Sequence, residues 1–363
     1  MSAATWIGTL IVALLLGVPA TAQTATAQFD DLAARAAQAR DAGNLAQAVE
    51  LYSQATAQKA DWQEGWWYLG VLQYSANRYQ PAIEAFNHLL SLAPHAAPAM
   101  ALRGLCEFET AAYDDALRDL DMAVAHGAAN DPRNAQILRY HLAQLLTRAG
   151  RFQDALLQYG YFPKNNAENP DLDAAIGMAG MRVAGLLSDL PAQDRALCEA
   201  AGHAGYPLLG EDSVEATRRF QDLFAQHPTT RNLHYFYGFL LFPSAPEMAA
   251  VEFERELAIA PNNPPAQAMF AFTLMLTGHY AEARAEAERV LSDQPGNGVA
   301  KIALGRALVE TGEPERGADL LKQMLAGEPQ NLEIHLGLAA YYARTGRRED
   351  EQRERAVCLE LAK

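Results

Sequence analysis

Three cysteines and nine histidines are the side chains of this 363-residue chain best suited to act as nucleophile, base or metal ligand. Cys106, Cys198 and Cys358 stand 92 and 160 residues apart, whereas zinc and dithiol sites draw cysteines from within a few positions of each other. Cys106 lies among Leu102, Leu105 and Phe108, and Cys198 beside Leu197, so both read as small apolar residues packed between helices. A thiol nucleophile needs an adjacent base. Cys198 and His203, five apart on a helix, point to different faces. His88, His126, His227 and His279 fall near helix ends or turns, where the helix dipole favours a solvated imidazole. His141 and His234 are lone rings within helical stretches, packed or on the surface. Asp30-Asp31 and Asp114-Asp115 read as first-turn or solvated residues, and Arg344 to Arg355 interleaves with Glu as an exposed helix. No His-Glu-x-x-His, phosphate loop, Gly-x-Ser-x-Gly or Cys-x-x-Cys occurs. The expectation is a non-enzymatic chain without metal or cofactor. Its rival is an enzyme with a site near residues 160–210, resting on His203 or Cys198.

Composition narrows the partners. The net charge is −15, from 44 acidic and 29 basic residues, and no basic run exceeds two or three. A phosphate-binding surface needs clustered positive charge, so nucleic acid is excluded as an expected partner. Half of the residues are apolar and strand-type alternation is absent, which is helical composition. Trp6 to Val18 is an apolar run of secretory length, too short for a comfortable membrane span. Pro19 and the small-x-small pattern Ala20-Thr21-Ala22 follow it, with a second such pattern at Ala25-Thr26-Ala27. Residues 1–22 are therefore expected to be a signal peptide, and the protein periplasmic or secreted. Residues 1–6 lack Lys and Arg, so membrane contact through an uncleaved segment is the alternative. No cysteine follows the run to carry a lipid.

The elements that must position any site recur at a fixed step. Ala48, Ala82 and Ala116 stand 34 apart, and Ala155 follows after 39, a loop around Gly127 to Arg133 absorbing the difference. Three positions before each alanine come Leu45, Tyr79, Tyr113 and Phe152; four after it come Tyr52, Phe86, Leu120 and Tyr159. A small residue at the marker lets two helices cross closely. A second stretch keeps a proline register at Pro228, Pro261, Pro295 and Pro329, with the pairs Ala216/Phe220, Ala249/Phe253, Ala283/Ala287 and Gly317/Leu321. A last copy begins near Leu332 and carries Glu351 at the marker position, as a charged terminal helix facing water would. From Ala155 to Ala216 the step is 61, neither one period nor two. Tyr161 to Pro170 reads as a polar break, Asp171 to Leu187 as one helix rich in Gly and Ala, and Ser188 to Ala192 as a turn.

Residues 63–95 display the pattern most fully: Trp66-x-x-Leu69-Gly70, then Ala82-x-x-x-Phe86, then Pro94. This resembles the tetratricopeptide repeat. The resemblance implies an all-α fold, an α-solenoid of about eight helix-turn-helix copies, irregular in the middle. The expected divisions are an N-terminal array at 29–162, an irregular break or hinge at 163–196, and a C-terminal array at 197–363. It further implies that first helices line a groove for an extended peptide or partner helix. Family members that clamp acidic tails use Lys, Arg and Asn there. The matching positions here are Trp67, Val71 and Tyr74; Ala101, Leu105 and Phe108; Tyr140 and Gln144; Tyr235, Phe239 and Phe242; and Ala268, Phe272 and Met275. No such clamp is present. An apolar, aromatic groove fits a scaffold of the bacterial envelope that buries Phe, Leu or Tyr of a protein partner. An envelope carbohydrate stacked on the same rings is the alternative ligand.

Overall fold

A computed structural model describes residues 20–165 and 168–362. The apolar run expected as a signal segment lies outside the described residues. Among the described residues every regular element is helical, and no helix is long and apolar enough to cross a membrane. The chain divides into two compact units, one up to Leu138 and one from Arg139 onward.

The first unit holds α1 (Ala20–Asp41), α2 (Leu45–Gln58), α3 (Gln63–Ser75), α4 (Tyr79–Leu92), α5 (Ala97–Glu109) and α6 (Tyr113–Ala125); the dividing point falls within α7 (Pro132–Arg148). The second holds α8 (Phe152–Tyr159), α9 (Pro170–Gly180), α10 (Ala192–Leu209), α11 (Ser213–Gln226), α12 (Leu233–Leu241) and α13 (Pro246–Ile259). It continues with α14 (Pro264–Leu276), α15 (Tyr280–Asp293), α16 (Gly298–Glu310), α17 (Pro314–Leu325), α18 (Leu332–Arg344) and α19 (Arg348–Leu361). Neighbours in sequence pair as hairpins: α1 with α2, α3 with α4, α5 with α6, and α12 with α13 onward to α18 with α19. First helices also touch one another, α3 with α5, α14 with α16 and α16 with α18.

The alanine markers explain the pairing. Ala48, Ala82, Ala116, Ala155, Ala216, Ala249 and Ala283 are all fully buried, as are Phe86, Leu120, Tyr159, Phe220 and Phe253 four positions after five of them, and Leu321 four after Gly317. Opposite those large residues the first helix carries almost nothing. A methyl group at Gly70 would run into the Phe86 ring, one at Gly104 into Leu120, and one at Gly305 into Leu321. Where the first helix carries Ala271, the second carries Ala287, both fully buried in one cluster. Size is thus complementary across each crossing. Each large apolar residue so enclosed contributes ~1.5–3 kcal/mol.

Caps and turns keep the same step. Asn263, Asn297 and Asn331, 34 apart, each accept a hydrogen bond from a backbone N–H in the first turn of α14, α16 and α18. Positive backbone φ recurs between paired helices at Gly43, Asn77 and Ala111, and again at Gly278, Gly312 and Gly346. α19 leaves mainly Cys358 buried and spends its charged face on the pairs Arg347–Asp350, Arg353–Asp350 and Arg355–Glu351.

The middle departs from the step. The helix expected over Asp171 to Leu187 ends at Gly180, because Arg182 and Gly185 take positive φ and turn the chain. α10 is contacted by α9 and α11 alike. Its crossing with α9 is the tightest in the fold: Gly177 sits over the Cys198 carbonyl and Gly202 over the Asp173 carbonyl, with no room for a methyl group at either.

Ala111 holds φ +60 at an exposed turn where its counterparts Gly43 and Gly312 are glycine. An L side chain is strained there. Ala111→Gly should raise stability by ~0.5–1 kcal/mol in urea unfolding, despite the added freedom of the unfolded chain. An unchanged or lower midpoint would contradict this account of the turn.

Candidate functional site

The side chains expected to line a groove divide by burial. Trp67, Val71 and Tyr74 on α3 and Phe108 on α5 are half-buried, as are Tyr140 on α7, Phe239 and Phe242 at α12, and Phe272 on α14. Leu105 (5% exposed), Gln144 (9%), Tyr235 (2%) and Met275 (1%) are interior. Gln144 Oε1 accepts a hydrogen bond from the Leu187 backbone N–H at 3.3 Å, which makes it a strut for the turn after α9. The half-buried rings rest on their own hairpins. Trp67 lies 6.1 Å from Phe86, Tyr74 6.2 Å from Tyr79 and Phe108 5.6 Å from Tyr113, while Phe242 and Phe272 are 5.7 Å apart. The first unit therefore carries one such set on α3 and α5, and the second carries another on α12 and α14.

A cavity of about 360 Å³ opens in the second unit, bordered by Arg151, Gln153, Arg182, Tyr235, Met269 and Asn297 among others. Arg182 carries no signal in the sequence, because its position depends on the left-handed turn after α9. Its guanidinium lies 4.7 Å over the Phe152 ring and 5.4 Å over that of Tyr235, and Nη1 donates to the Tyr235 hydroxyl at 3.3 Å. No carboxylate among the described residues forms an ion pair with it. Arg151, at the same rim, pairs with Asp154 at 2.7 Å. Gln153 Nε2 approaches the Tyr235 hydroxyl at 3.5 Å and Met269 Sδ at 3.9 Å, tying α8 to α12 and α14. The site can hold one or two side chains and offers spare N–H donors over flat rings.

None of the thiols is poised to react. All three are buried, and burial pushes Cys106 up to about 12 and Cys198 up to about 11. His234 is packed, with Nδ1 2.6 Å from Glu252 Oε2 and its ring stacked on Phe224 at 4.0 Å. Two buried carboxylates are displaced from their ordinary range. Burial first, and the Asp119 charge second, push Glu107 up to about 7. Burial and the Glu168 charge do the same to Asp173. Glu107 Oε2 and Asp173 Oδ1 have no hydrogen-bond partner.

Residues 33–97 and 302–351 match the profile of the tetratricopeptide repeat family. The alanine register continues between them on buried crossings of the same make. The chain carries tetratricopeptide repeats. Solved structures similar to it share little sequence. MamA from AMB-1 is 20% identical over 45% of this chain and 96% of that one, with a TM-score of 0.35. A tetratricopeptide repeat protein from Parabacteroides merdae ATCC 43184 is 15% identical over 77% and 98%, with a TM-score of 0.34. Yeast Tom70 is 13% identical over 94% and 92%, with a TM-score of 0.31. Likenesses this distant carry no functional information. No curated protein sequence matches the chain.

Glu107 of this repeat protein gives a pH test of its interior. Its carboxyl ionises near 4.5 in the unfolded chain and about 7 in the folded one, so the folded state holds the proton across that window. The contribution of Glu107 to stability is full below pH about 4.5 and is lost as pH rises through about 7. Glu107→Gln should remove that slope and gain ~1–3 kcal/mol near pH 8 relative to the parent, with little difference near pH 4. Urea unfolding at a series of pH values reads it directly, and parallel pH profiles for parent and variant would refute it.

Proposed function

We propose that this repeat protein is a non-enzymatic interaction scaffold that binds an extended peptide or a helix of another protein along the first-helix faces of its hairpins. The observation that carries the reading is the row of half-buried apolar side chains on those faces: Trp67, Val71 and Tyr74 on α3, with Phe108 on α5. Tyr74 and Phe108 occupy the same place in successive repeats, 34 residues apart, and each rests on a tyrosine of its own turn. Phe239, Phe242 and Phe272 form the corresponding set of the second unit. Rings held from behind lose little freedom when a ligand covers them, which is what an anchor pocket requires. Arg182, which pairs with no carboxylate among the described residues, supplies polar contacts to a ligand's carbonyl or carboxylate groups at the second unit's cavity.

The cellular setting we propose is the bacterial envelope. Support comes from the apolar run Trp6 to Val18 followed by Ala20-Thr21-Ala22.

Panning a random peptide display library on the full chain tests the binding reading. Recovered peptides should be rich in Phe, Leu and Tyr. Trp67→Ala with Tyr74→Ala should weaken them about tenfold or more while the far-ultraviolet circular dichroism of the helices is retained. Peptides that bind the double variant as well as the parent would place recognition elsewhere. Sedimentation of the chain with purified cell-wall sacculi, and no peptide enrichment, would favour the carbohydrate alternative.

A further inference from the structure

The last hairpin is fastened differently from those before it. α19 buries Cys358 and no other residue, whereas its counterparts α13, α15 and α17 each bury three or more. A terminal helix with so little apolar anchorage opens more readily than one in the middle of an array. What holds it is a polar joint. His335 on α18 is 6% exposed, and its two ring nitrogens face different segments. Nδ1 lies 2.6 Å from Glu354 Oε2 on α19, and Nε2 lies 3.0 Å from the Pro329 carbonyl oxygen in the turn before α18. A neutral imidazole carries one N–H and one lone pair, so it can donate to only one of these acceptors. Both bonds form together only when both nitrogens are protonated. The imidazolium then ties α19, α18 and the turn before it at a single point.

The other charges around the joint are engaged elsewhere. On α18, Glu333 pairs with Arg306 of α16 at 3.5 Å, and Arg344 pairs with Glu310. On α19, Glu351 pairs with Arg355 at 2.8 Å. Glu328, before α18, accepts a hydrogen bond from Asn331 Nδ2 at 2.6 Å, and Lys322 of α17 lies 5.3 Å over the Tyr341 ring. Glu354 is the charge that acts on His335. Burial disfavours the imidazolium, but the Glu354 carboxylate and the Pro329 carbonyl outweigh it, and the ionisation of His335 is raised above its ordinary value of 6.5.

We propose that His335 and Glu354 form a proton-operated latch: the protonated ring holds α19 closed over the end of the array, and loss of the proton lets that helix swing away. His335, Leu338 and Tyr342 share one face of α18. Arg347, just before α19, lies 4.6 Å over the Tyr342 ring. Opening therefore uncovers Leu338 and Tyr342, which belong to the apolar cluster that α18 shares with α17. Because folding raises the ionisation of His335, the latch holds fully below pH about 6.5 and loosens as pH rises through the raised value.

Hydrogen–deuterium exchange of the full chain between pH 5.5 and 8.5 tests the latch, read by mass spectrometry on peptides from α19 and, for reference, from α16. Rates divided by those of the urea-unfolded chain at the same pH give the open fraction of each helix. That of α19 should rise about threefold or more over the range while α16 stays shut. His335→Gln and Glu354→Gln should each open α19 more than the parent at pH 5.5 and flatten its rise. Glu333 and Cys358, both pushed up by burial, act in the same direction but remain in the variants, so the difference from the parent belongs to the latch. The Glu354 side chain is 14% exposed, and its variant decides the matter if His335→Gln fails to fold. An open fraction of α19 that ignores pH, a rise as steep in the variants as in the parent, or α16 opening in step with α19 overturns the proposal.

Discussion

Close approach of two helices, made possible by a missing side chain on one and filled by a large side chain on the other, is the constraint the remaining structure obeys. Gly70 accommodates Phe86, Gly104 accommodates Leu120 and Gly305 accommodates Leu321. The exchange is by volume and not by residue type, because Ala271 and Ala287 divide the same space evenly. A hairpin built this way buries one face and leaves another apolar, so it is stable only against the next hairpin. Contacts consequently run mainly between elements adjacent in sequence and between successive first helices, and the capping asparagines and left-handed turns recur at the interval that the crossings impose.

The same constraint, carried further, accounts for the irregular middle. At Gly177 and Gly202 the facing atoms are backbone carbonyls and not side chains, so α9 and α10 meet closer than any ring would permit. The chain then turns through Arg182 and Gly185, and buried Asp173 is brought against His203. Regular crossings produce rows of rings, whereas the irregular one produces a polar nest.

Much of the fold was legible because both markers and interval are one-dimensional. Ala48, Ala82 and Ala116 announce the crossings by spacing alone, and Phe86 and Leu120 follow from helical geometry. The faces of the first helices were harder to read. Trp67, Tyr74 and Phe108 are open on one side, but Leu105, Tyr235 and Met275 are covered, since first helices also pack against each other and sequence period cannot separate that seam from the open face beside it. Arg182 depends on a positive φ that an arginine does not advertise. Asp173 gave no signal either: it stands in a stretch of Ala and Gly whose importance lies in the absence of side chains, and its partner is 30 residues away outside the repeat interval.

The three cysteines acquire a use from where the crossings enclose them. Cys106 lies in α5, Cys198 in α10 and Cys358 in α19, each shut away in a different stretch of the chain. A thiol reagent added to the native protein meets none of them until a local stretch breathes open. Their separate alkylation rates would thus act as three native clocks, one per stretch, timing how often an early, a middle and a late hairpin comes apart while the others stay shut.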